Sequence, residues 1–435
     1  MQDLDRSKFV LINEDKEIKD KPLETKRVGY YKDAWNRFKK NKMSLTAFII
    51  ICILMFFVVF GPILKNYKEP TRLEFKNDLS YLPPRIPGIF SGTRFTELPR
   101  EFIEKAKTHP KYNNMFLSDT SKEYMDAVQE KTPSSNVPVK VDQYKFLDFT
   151  KSYFGTDLKP NYYTFTKAEF EKLLKKNLIT AIHEVDHQKD IYKVSVKFFE
   201  TALGQTVDQV NFWFGTIGTG EDLYTQLWQG ARISFMVALA VISVNALIGL
   251  TVGAISGYYG GTFDLLFDRF VEILSGIPFI AVLTLLVIKY GTTFPVIIFA
   301  FTITGWIGYY SMARMQFYRF KNREYILAAR TLGASDARIM FRHIFPNAIG
   351  YMVTSFALAL PSFIFSEASF AYLGILKYGN TISVGQLLEQ GQSVMQSQPH
   401  VLVFPAIYIS ILMITFNLFG NGLRDAFNPS LRGVE

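Results

Sequence analysis

One short stretch of the sequence has the residue types of a zinc-dependent protease. The segment HEVDH places His183 and His187 four residues apart, with Glu184 between them. On a helix the two imidazoles would share a face and bind Zn²⁺, and the glutamate would act as general base. A strand pattern begins within four residues, however, and no helix with a third ligand follows. We therefore expect solvated polar residues ahead of a strand, with no metal site and no catalytic residue.

A second stretch is rich in glycine, as phosphate-binding loops are. The segment FGTIGTGEDLY contains Gly215, Gly218 and Gly220. The chain has no G-x-x-x-x-G-K-[ST] sequence, which is the loop that cradles nucleotide phosphates. We expect these glycines to form a turn before a helix, and we expect the chain to bind no cofactor and no ATP itself.

A third stretch, residues 324–346, predicts a mechanical element and is called the elbow below. Its pattern indicates two short helices joined at Gly333, a residue type that accepts the left-handed conformation of a helix end. Ser335 can cap the second helix, and Asp336 suits its first turn. Pro346 is expected to end that helix, and Asn347 can cap the fifth span.

The small residues of the elbow favour a docking role. Ala328 and Ala329 lie close to one helix face, where they let another surface approach closely. Two interpretations stay open, namely a basic amphipathic loop beside a membrane and a segment that inserts into a cytosolic partner. The residues that we expect to serve docking are Glu324, Ala328, Ala329, Arg330, Gly333, Ala334, Ser335, Asp336 and Pro346.

The elbow lies between segments that are apolar enough to cross a membrane. Of the 435 residues, 49% are hydrophobic and 20% are charged, but the charged residues concentrate in 1–44 and 66–210. A spanning helix needs about 20 mostly apolar residues. The segments that meet this requirement are 45–64, 233–258, 270–288, 293–310, 349–365 and 401–420. We therefore predict an all-α polytopic membrane protein with six transmembrane helices.

The Lys/Arg distribution predicts the orientation of these spans. Short cytoplasmic flanks carry an excess of basic residues. Such residues precede the first span and surround the elbow, so the N-terminus, the elbow and, after six crossings, the C-terminus are expected in the cytoplasm. The basic residues are Arg37, Lys39, Lys40, Lys42, Arg314, Arg319, Lys321, Arg323, Arg330, Arg338 and Arg342. The net charge of +9 thus indicates topology and attraction to membrane lipid, not nucleic-acid binding.

Prolines and polar residues interrupt the apolar spans. Pro278 is expected to kink the third span, and Pro361 interrupts the fifth. Glu367 and Asn417 are candidates for a path through the membrane, because polar residues at membrane depth are usually functional. A position at the membrane surface is the alternative for Glu367, and a packing role is the alternative for Asn417.

Residues 66–210 form an insertion long enough for a small domain. Thr166 and Glu169 have the spacing of a capping box ahead of a helix. Residues 191–199 alternate apolar and polar, which is typical of a half-buried strand. We predict an α+β domain outside the membrane. The sole cysteine, Cys52, excludes an intrachain disulfide, so the domain must fold by packing alone.

Two further segments are amphipathic. Within residues 28–44, Tyr31, Trp35 and Phe38 share a helix face, and the opposite face is basic. This predicts either an interfacial helix against the bundle or a basic flank with aromatic anchors. Residues 382–395 also have helical apolar spacing, and their helix either lines the outer mouth of a path or only packs against the bundle.

At the elbow, the chain resembles the inner-membrane permease subunits of binding-protein-dependent ABC importers, in particular the C-type subunit of oligopeptide/dipeptide permeases. The pattern of that family is Glu-Ala-Ala, three residues, Gly, and later a hydrophobic residue before Pro. Ala328, Ala329, Gly333 and the Phe345-Pro346 pair match. Leu327 stands where the family usually has Glu.

Other blocks carry the same resemblance over residues 28–64 and 211–433. NRFKKNKMSLTAFII, SEASFAYLGI and FNLFGNGLRDAFNPSLR resemble the lead into span one, the end of span five and the C-terminal signature. The block before span two resembles the pattern Gly-Thr-Asp-x-x-Gly-Arg-Asp, with Ile217 and Glu221 in place of Asp and Arg. Its matching residues are Gly215, Thr216, Gly220 and Asp222. The insertion is longer than the usual first external loop, so its role is not carried over.

The resemblance implies a type I ABC importer permease fold and a set of partners. Two cytosolic ATPase subunits would bind ATP and Mg²⁺ and carry the enzymatic activity, a homologous permease subunit would form the other half of the path, and an extracytoplasmic binding protein would deliver oligopeptides. The elbow would receive movement from an ATPase in a bacterial cytoplasmic membrane. The domains expected are 1–44, 45–65, 66–210, 211–422 with a coupling loop at 314–346, and 423–435.

Two alternatives remain for the function. One is an importer of the same family for nickel or another small solute. The other is a membrane-anchored binding or scaffold protein that acts through its external domain.

Overall fold

The structure, a computed structural model, describes residues 30–65, 69–117, 136–186, 188–379 and 381–427. The helices are α1 (Tyr30–Lys40), α2 (Lys42–Phe60), α3 (Leu73–Asp78), α4 (Arg100–Lys107), α5 (Gln143–Ser152), α6 (Lys167–Lys175), α7 (Phe198–Ala202), α8 (Leu223–Tyr259), α9 (Gly261–Ser275), α10 (Phe279–Tyr290), α11 (Phe294–Gly305), α12 (Ile307–Phe320), α13 (Glu324–Thr331), α14 (Asp336–Arg338), α15 (Phe345–Tyr372), α16 (Val384–Ser393) and α17 (Pro399–Phe427). The strands are β1 (Arg85–Ile86), β2 (Phe90–Ser91), β3 (Thr93–Pro99), β4 (Asn136–Asp142), β5 (Tyr163–Phe165), β6 (Ile179–Asp186) and β7 (Ile191–Val196).

The apolar helices of the described chain have the lengths of membrane spans. Four are long enough without a sharp break, and they run over Lys42–Leu64, Leu223–Tyr259, Asp336–Tyr372 and Pro399–Phe427. Two bent pairs pass the same criterion, α9 with α10 at 68° and α11 with α12 at 42°. Counting each pair as one span gives the six spans that the sequence predicts. The kink expected at Pro278 is confirmed, because this residue lies in the break between α9 and α10.

Two spans differ in detail from the sequence prediction. Span two begins at Leu223, ten residues before the predicted start, because the Asp222 carboxylate caps the helix by accepting from Thr225 N at 3.0 Å. Span five continues through Pro361 as one helix. The polar Gln and Arg residues of the first turns of α8 hid the helix from a hydropathy criterion.

Spans two and four pack backbone to backbone. Gly249, Gly253 and Gly257 recur every four residues on α8 and face α12. A Cβ atom at Gly257 would lie 2.5 Å from the Arg314 carbonyl oxygen, and one at Gly253 would collide with the Tyr310 carbonyl oxygen. Small residues at such spacing allow the closest approach of two membrane helices. Spans two and four therefore form a tightly fitted pair.

The described residues of the insertion form an α+β domain, as the sequence predicts. Strands β3 and β4 pair antiparallel, and β7 lies between β5 and β6 in a second antiparallel sheet. At the start of α6, Glu169 Oε2 accepts from Thr166 N at 3.1 Å, which confirms the capping box. Strand β7 buries Tyr192, Val194 and Val196. The expected strand thus forms, although it ends at Val196 and the next residues begin α7.

The insertion is seated on the segment that leads into span two. Thr216 Oγ1 accepts from Leu82 N at 2.7 Å and lies 2.5 Å from the Leu79 carbonyl oxygen. Lys76 Nζ lies 3.0 Å from Glu221 Oε1. A second contact joins Arg94 on β3 to Gln398, just before span six. The domain is therefore fixed to the bundle by both polar and backbone contacts.

The insertion and the elbow lie at opposite ends of the bundle. Helix α8 has 37 residues, and a helix of this length is about 55 Å long. Its first residue follows the segment that contacts the insertion, and its penultimate residue, Tyr258, contacts the elbow. Helix α1 packs at the elbow end, where Phe38 meets Phe419 near the end of α17 with ring centroids 5.6 Å apart. This contact supports the interpretation of α1 as a helix packed on the bundle.

Helix α16 packs against the bundle at the insertion end. Val384 and Leu387 are buried, and a capping box joins Ser383 and Gln386 at its start. The packing interpretation of residues 382–395 is therefore supported, whereas a role in lining the mouth of a path stays a prediction.

Candidate functional site

The elbow turns at Gly333, as the sequence predicts. Helix α13 ends at Thr331, Leu332 is its C-cap, and Gly333 has φ of +81°. Ala334 N donates to the Ala329 carbonyl oxygen at 3.0 Å, and Gly333 N donates to the Arg330 carbonyl oxygen at 3.0 Å. These bonds close the helix in the manner of a Schellman turn, which requires a left-handed residue at this position. No atom lies within 4 Å of where a Cβ at Gly333 would be, so backbone conformation alone selects glycine.

The prediction that Pro346 ends the second helix of the elbow is wrong. Residues 336–372 form one apolar helix that includes a π-helical stretch, Ile339–Ile344, and continues directly into span five. Phe345 N donates to the Met340 carbonyl oxygen five residues back. This wider turn accommodates the proline that follows it, which would otherwise clash with the preceding turn. The two helices of the elbow are called its arms, α13 being the first arm and residues 336–346 the second. The second arm is therefore continuous with span five.

The caps expected around the second arm also differ. Ser335 occupies the position before α14, but its side chain makes no capping hydrogen bond. Asn347 does not cap a new helix, because its Nδ2 donates to the His343 carbonyl oxygen at 2.7 Å. Asp336 lies in the first turn as predicted, where its carboxylate binds another part of the chain.

The tyrosine near the end of span two joins both arms of the elbow. Tyr258 Oη donates to Asp336 Oδ1 at 2.5 Å, and Arg330 Nη2 donates to Tyr258 Oη at 3.1 Å. The hydrogen bond to Tyr258 raises the pKa of the Arg330 guanidinium, which stays charged. The sequence pattern indicates Arg330 and Asp336 but gives no sign of Tyr258. The 78 residues that separate Tyr258 from Asp336 leave no periodic signal in the sequence.

The elbow has an anchored side and an open side. Ile326, Ile339 and Ile344 are buried against the bundle in a cluster that includes Tyr258 and Phe317. On the open side, large apolar side chains face outward: Leu332 is 88% exposed and Phe341 is 72% exposed, while Tyr325 and Leu327 are also exposed. Glu324 and Ala328 are exposed too, and Ala329 is half-buried. The elbow thus exposes an apolar surface on one side, while its other side is packed against the bundle.

A buried ion pair lies beside the elbow. Asp264 on α9 accepts from Arg314 Nε at 2.6 Å and Arg314 Nη2 at 2.8 Å, and Tyr318 Oη donates to it at 3.1 Å. Ser256 on α8 also donates to this carboxylate. The sequence expectations do not include this ion pair. An acidic residue among the apolar residues of α9 was the available signal.

The two polar residues predicted for a path lie in different surroundings. Glu367 is fully buried inside the chain, where Ser234 Oγ donates to its Oε2 at 2.7 Å. The side chain lies between spans two and five, and its position relative to the membrane surface stays a prediction. Asn417 is exposed on α17, and its Nδ2 donates to the Met413 carbonyl oxygen at 2.8 Å. A role of either residue in a path stays a prediction.

The HEVDH segment forms part of a strand. His183 and Glu184 lie within β6, not ahead of a strand, and His187 lies outside the described residues. His183 Nε2 is 2.6 Å from Ser195 Oγ, and Glu184 pairs with Lys193 Nζ at 2.6 Å. In the part of the chain that the structure describes, no three His, Cys, Asp or Glu residues are grouped to hold a metal ion.

Two family models match this chain in order. One, described as the N-terminal TM domain of oligopeptide transport permease C, matches residues 29–84. The other, described as the binding-protein-dependent transport system inner membrane component, matches residues 249–433. The oligopeptide transport system permease protein OppC of Bacillus subtilis (strain 168) is 40% identical over 220 residues, which cover 51% of this chain and 72% of that protein. The chain belongs to this family of permeases.

Another relative is similar to this chain over most of its length. The dipeptide transport system permease protein DppC of Lactococcus lactis subsp. cremoris (strain MG1363) is 28% identical over 407 residues, or 92% of the permease described here and 91% of that protein. An alignment of this length extends across the insertion. A solved structure of the MetNI methionine ABC transporter in an inward-facing conformation covers 47% of the permease and 96% of that chain, with 19% identity and a TM-score of 0.39.

The family membership fixes the general role of the molecule. The permease is a multi-pass inner-membrane component of a binding-protein-dependent transport system. The elbow, the Asp264–Arg314 ion pair and the glycine contact of spans two and four all lie within the matched residues 249–433.

Proposed function

We propose that this permease forms half of the translocation path of an ATP-driven importer for oligopeptides, and that its elbow docks on an ATPase subunit. The observation that carries the proposal is the elbow itself. It exposes an apolar surface, and Tyr258 is hydrogen-bonded to both of its arms. The names of the similar permeases, which act on oligopeptides and dipeptides, support the class of cargo.

The chemistry of the open side suits a protein partner. Leu332 and Phe341 would lose exposed apolar surface on docking, and such burial stabilises a complex by about 25 cal/mol per Å². The turn at Gly333 carries little side-chain bulk, so a cleft in the partner can close around it. Leu327 adds a further apolar group where the family usually has a glutamate, and we propose that apolar contact replaces a charged one at this point.

The partners that we propose complete the transporter. A homologous permease subunit would supply the other half of the path, and two cytosolic ABC ATPase subunits would bind ATP and Mg²⁺ and carry out hydrolysis. An extracytoplasmic binding protein would deliver the peptide. Alternating access then follows if ATPase closure changes the relative free energies of the inward-facing and outward-facing states through the elbow.

We assign the elbow end to the cytoplasm and the insertion to the outer side. Lys32, Arg37, Lys39 and Lys40 on α1 and the basic residues of the elbow cluster at one end of the bundle, which is the charge pattern of cytoplasmic flanks. The described N-terminal helix and the last turns of α17 lie at this same end.

For the insertion we propose contact with the binding protein or with the partner permease. Its seat on the outer ends of spans two and six would place it beside an incoming binding protein. Ile89 and Phe95 are exposed apolar residues of this domain. Replacing both with Asp should weaken binding of the binding protein or of the partner permease and leave assembly with the ATPase subunits unchanged. If the binding of both proteins is unchanged, the insertion is only a structural cover.

The experiment that tests the function uses the complete transporter in proteoliposomes with its binding protein. ATP-dependent uptake of labelled tri- to pentapeptides is expected, with no uptake of labelled nickel. Two ATPase subunits should co-purify with the permease pair. Purification without any ATPase would favour a scaffold protein, and nickel uptake without peptide uptake would favour the alternative cargo.

A further inference from the structure

We infer that Tyr258 is the positioning residue through which span two follows the elbow, an inference that rests on the proposed docking of the elbow on an ATPase. The elbow connects spans four and five along the chain. Span two has no such covalent connection to it. Among the described residues, the phenol of Tyr258 makes the hydrogen bonds from span two to the side chains of both arms.

In the first step of the coupling, the two hydrogen bonds of Tyr258 hold the arms together at the elbow turn, and these bonds are called the clamp. Arg330 lies before the turn at Gly333, and Asp336 lies after it. Because Tyr258 Oη accepts from Arg330 and donates to Asp336, a single atom holds the two arms at a fixed separation. Hydrogen bonds to ionised groups are the stronger class of such contacts. A displacement of either arm must therefore move the end of span two or break one of these bonds.

The second step carries this displacement along span two to span four. Tyr258 directly follows Gly257, whose Cα faces the Arg314 carbonyl oxygen of α12. The same close approach recurs at Gly253 and Gly249. Side chains at these positions would collide with the α12 backbone, so the two helices fit too closely to slide past one another. Spans two and four should move together.

The third step adds the first half of span three. Arg314 on α12 binds Asp264 on α9 through two hydrogen bonds, and Ser256 on α8 binds the same carboxylate. Three helices thus meet at Asp264. The 68° break after α9 separates this half from α10. The clamp therefore connects the elbow to a rigid unit of α8, α9 and α12, whereas span five receives movement directly through its continuous helix.

The test compares Tyr258→Phe with Tyr259→Phe in the assembled transporter. The first variant keeps the buried ring and removes only Oη. The second removes the same atom from the adjacent tyrosine, which is 59% exposed and contacts the Tyr258 ring only edge-on at 5.2 Å. Peptide uptake and ATP hydrolysis are measured in the same proteoliposomes, together with the amount of ATPase that co-purifies.

We expect Tyr258→Phe to lower the number of peptides imported per ATP about threefold to tenfold, which corresponds to a loss of about 0.6–1.4 kcal/mol of coupling free energy. ATPase co-purification should stay at the wild-type level, and Tyr259→Phe should match the wild type. An unchanged ratio in Tyr258→Phe would overturn the inference and leave the proposed docking intact. A parallel fall of both rates would also overturn it, because a merely structural role lowers the amount of active transporter without changing the ratio. Absence of ATPase from the wild-type preparation would instead contradict the proposed function.

Discussion

Asp264 and Arg314 form two parallel hydrogen bonds, 2.6 and 2.8 Å long, across the contact of spans three and four. The carboxylate is buried, and Ser256 and Tyr318 also donate to it. These hydrogen-bond partners of the carboxylate are two uncharged hydroxyl groups and one cationic guanidinium. This arrangement satisfies a charge that would otherwise be costly to bury, and it joins three helices beside the elbow.

Replacing Asp264 with Asn should therefore destabilise the permease. The amide can accept only one of the two bonds from Arg314 and leaves the guanidinium without its buried counter-ion, so we expect a loss of about 1–3 kcal/mol. Thermal unfolding of the purified permease measures it. The matched control is Asp268→Asn, which removes a half-exposed carboxylate that meets Arg314 Nη1 at 3.2 Å. Equal unfolding temperatures of the two variants would refute a special role of Asp264.

The glycine contact of spans two and four predicts strong sensitivity to a single methyl group. In Gly253→Ala the new Cβ would collide with the Tyr310 carbonyl oxygen, which belongs to backbone and cannot rotate away. We expect poor accumulation of folded permease in the membrane. Gly308→Ala is the control, because nothing lies within 4 Å of its Cβ position. Wild-type accumulation of Gly253→Ala would show that the helices are not held at this distance.

The turn of the elbow gives a prediction that depends on conformation alone. Gly333 has φ of +81°, and no neighbouring atom restricts a side chain there. Val strongly disfavours this region, whereas Asn tolerates it. Gly333→Val should insert normally into the membrane but lose most ATP-driven uptake, and Gly333→Asn should keep most of it. Comparable uptake in both variants would mean that the left-handed turn does not matter for coupling.

The buried carboxyl of span five can be probed in the same way. Glu367 accepts a hydrogen bond from Ser234 of span two. Glu367→Leu leaves that hydroxyl without its partner in a buried setting and should cost about 1–3 kcal/mol of stability, seen as a lower unfolding temperature. Glu367→Gln retains an acceptor of the same size and should unfold near the wild-type temperature. A larger loss in the Gln variant than in the Leu variant would exclude this explanation.

The sequence predicted the local features of the fold well because local chemistry determines them. Apolar runs predicted the six spans, Pro278 predicted a kink, and Gly333 predicted a left-handed turn. Thr166 and Glu169 predicted a helix start that the structure confirms. Each of these features depends on residues that lie close together in the chain.

The features that were missed depend on distant partners or on competing local rules. The bond between Tyr258 and Asp336 joins residues far apart in the chain, and no periodicity encodes it. Pro346 failed to end the helix because the π-helical turn before it relieves the expected clash. The glycine face of α8 was visible as a four-residue repeat, but its partner helix was not. The position of Glu367 inside the bundle likewise follows from packing.

Docking of the open side of the elbow on an ATPase is tested most directly by cross-linking from that surface. Cys52 is the only cysteine, so Cys52→Ala provides a background for Leu332→Cys, to be labelled with a benzophenone maleimide. Irradiation of the assembled transporter should link position 332 to an ATPase subunit. Leu174→Cys, which replaces a 56% exposed residue of the insertion, should give no such product. ATPase cross-links absent from position 332, or equally abundant from position 174, would contradict the account.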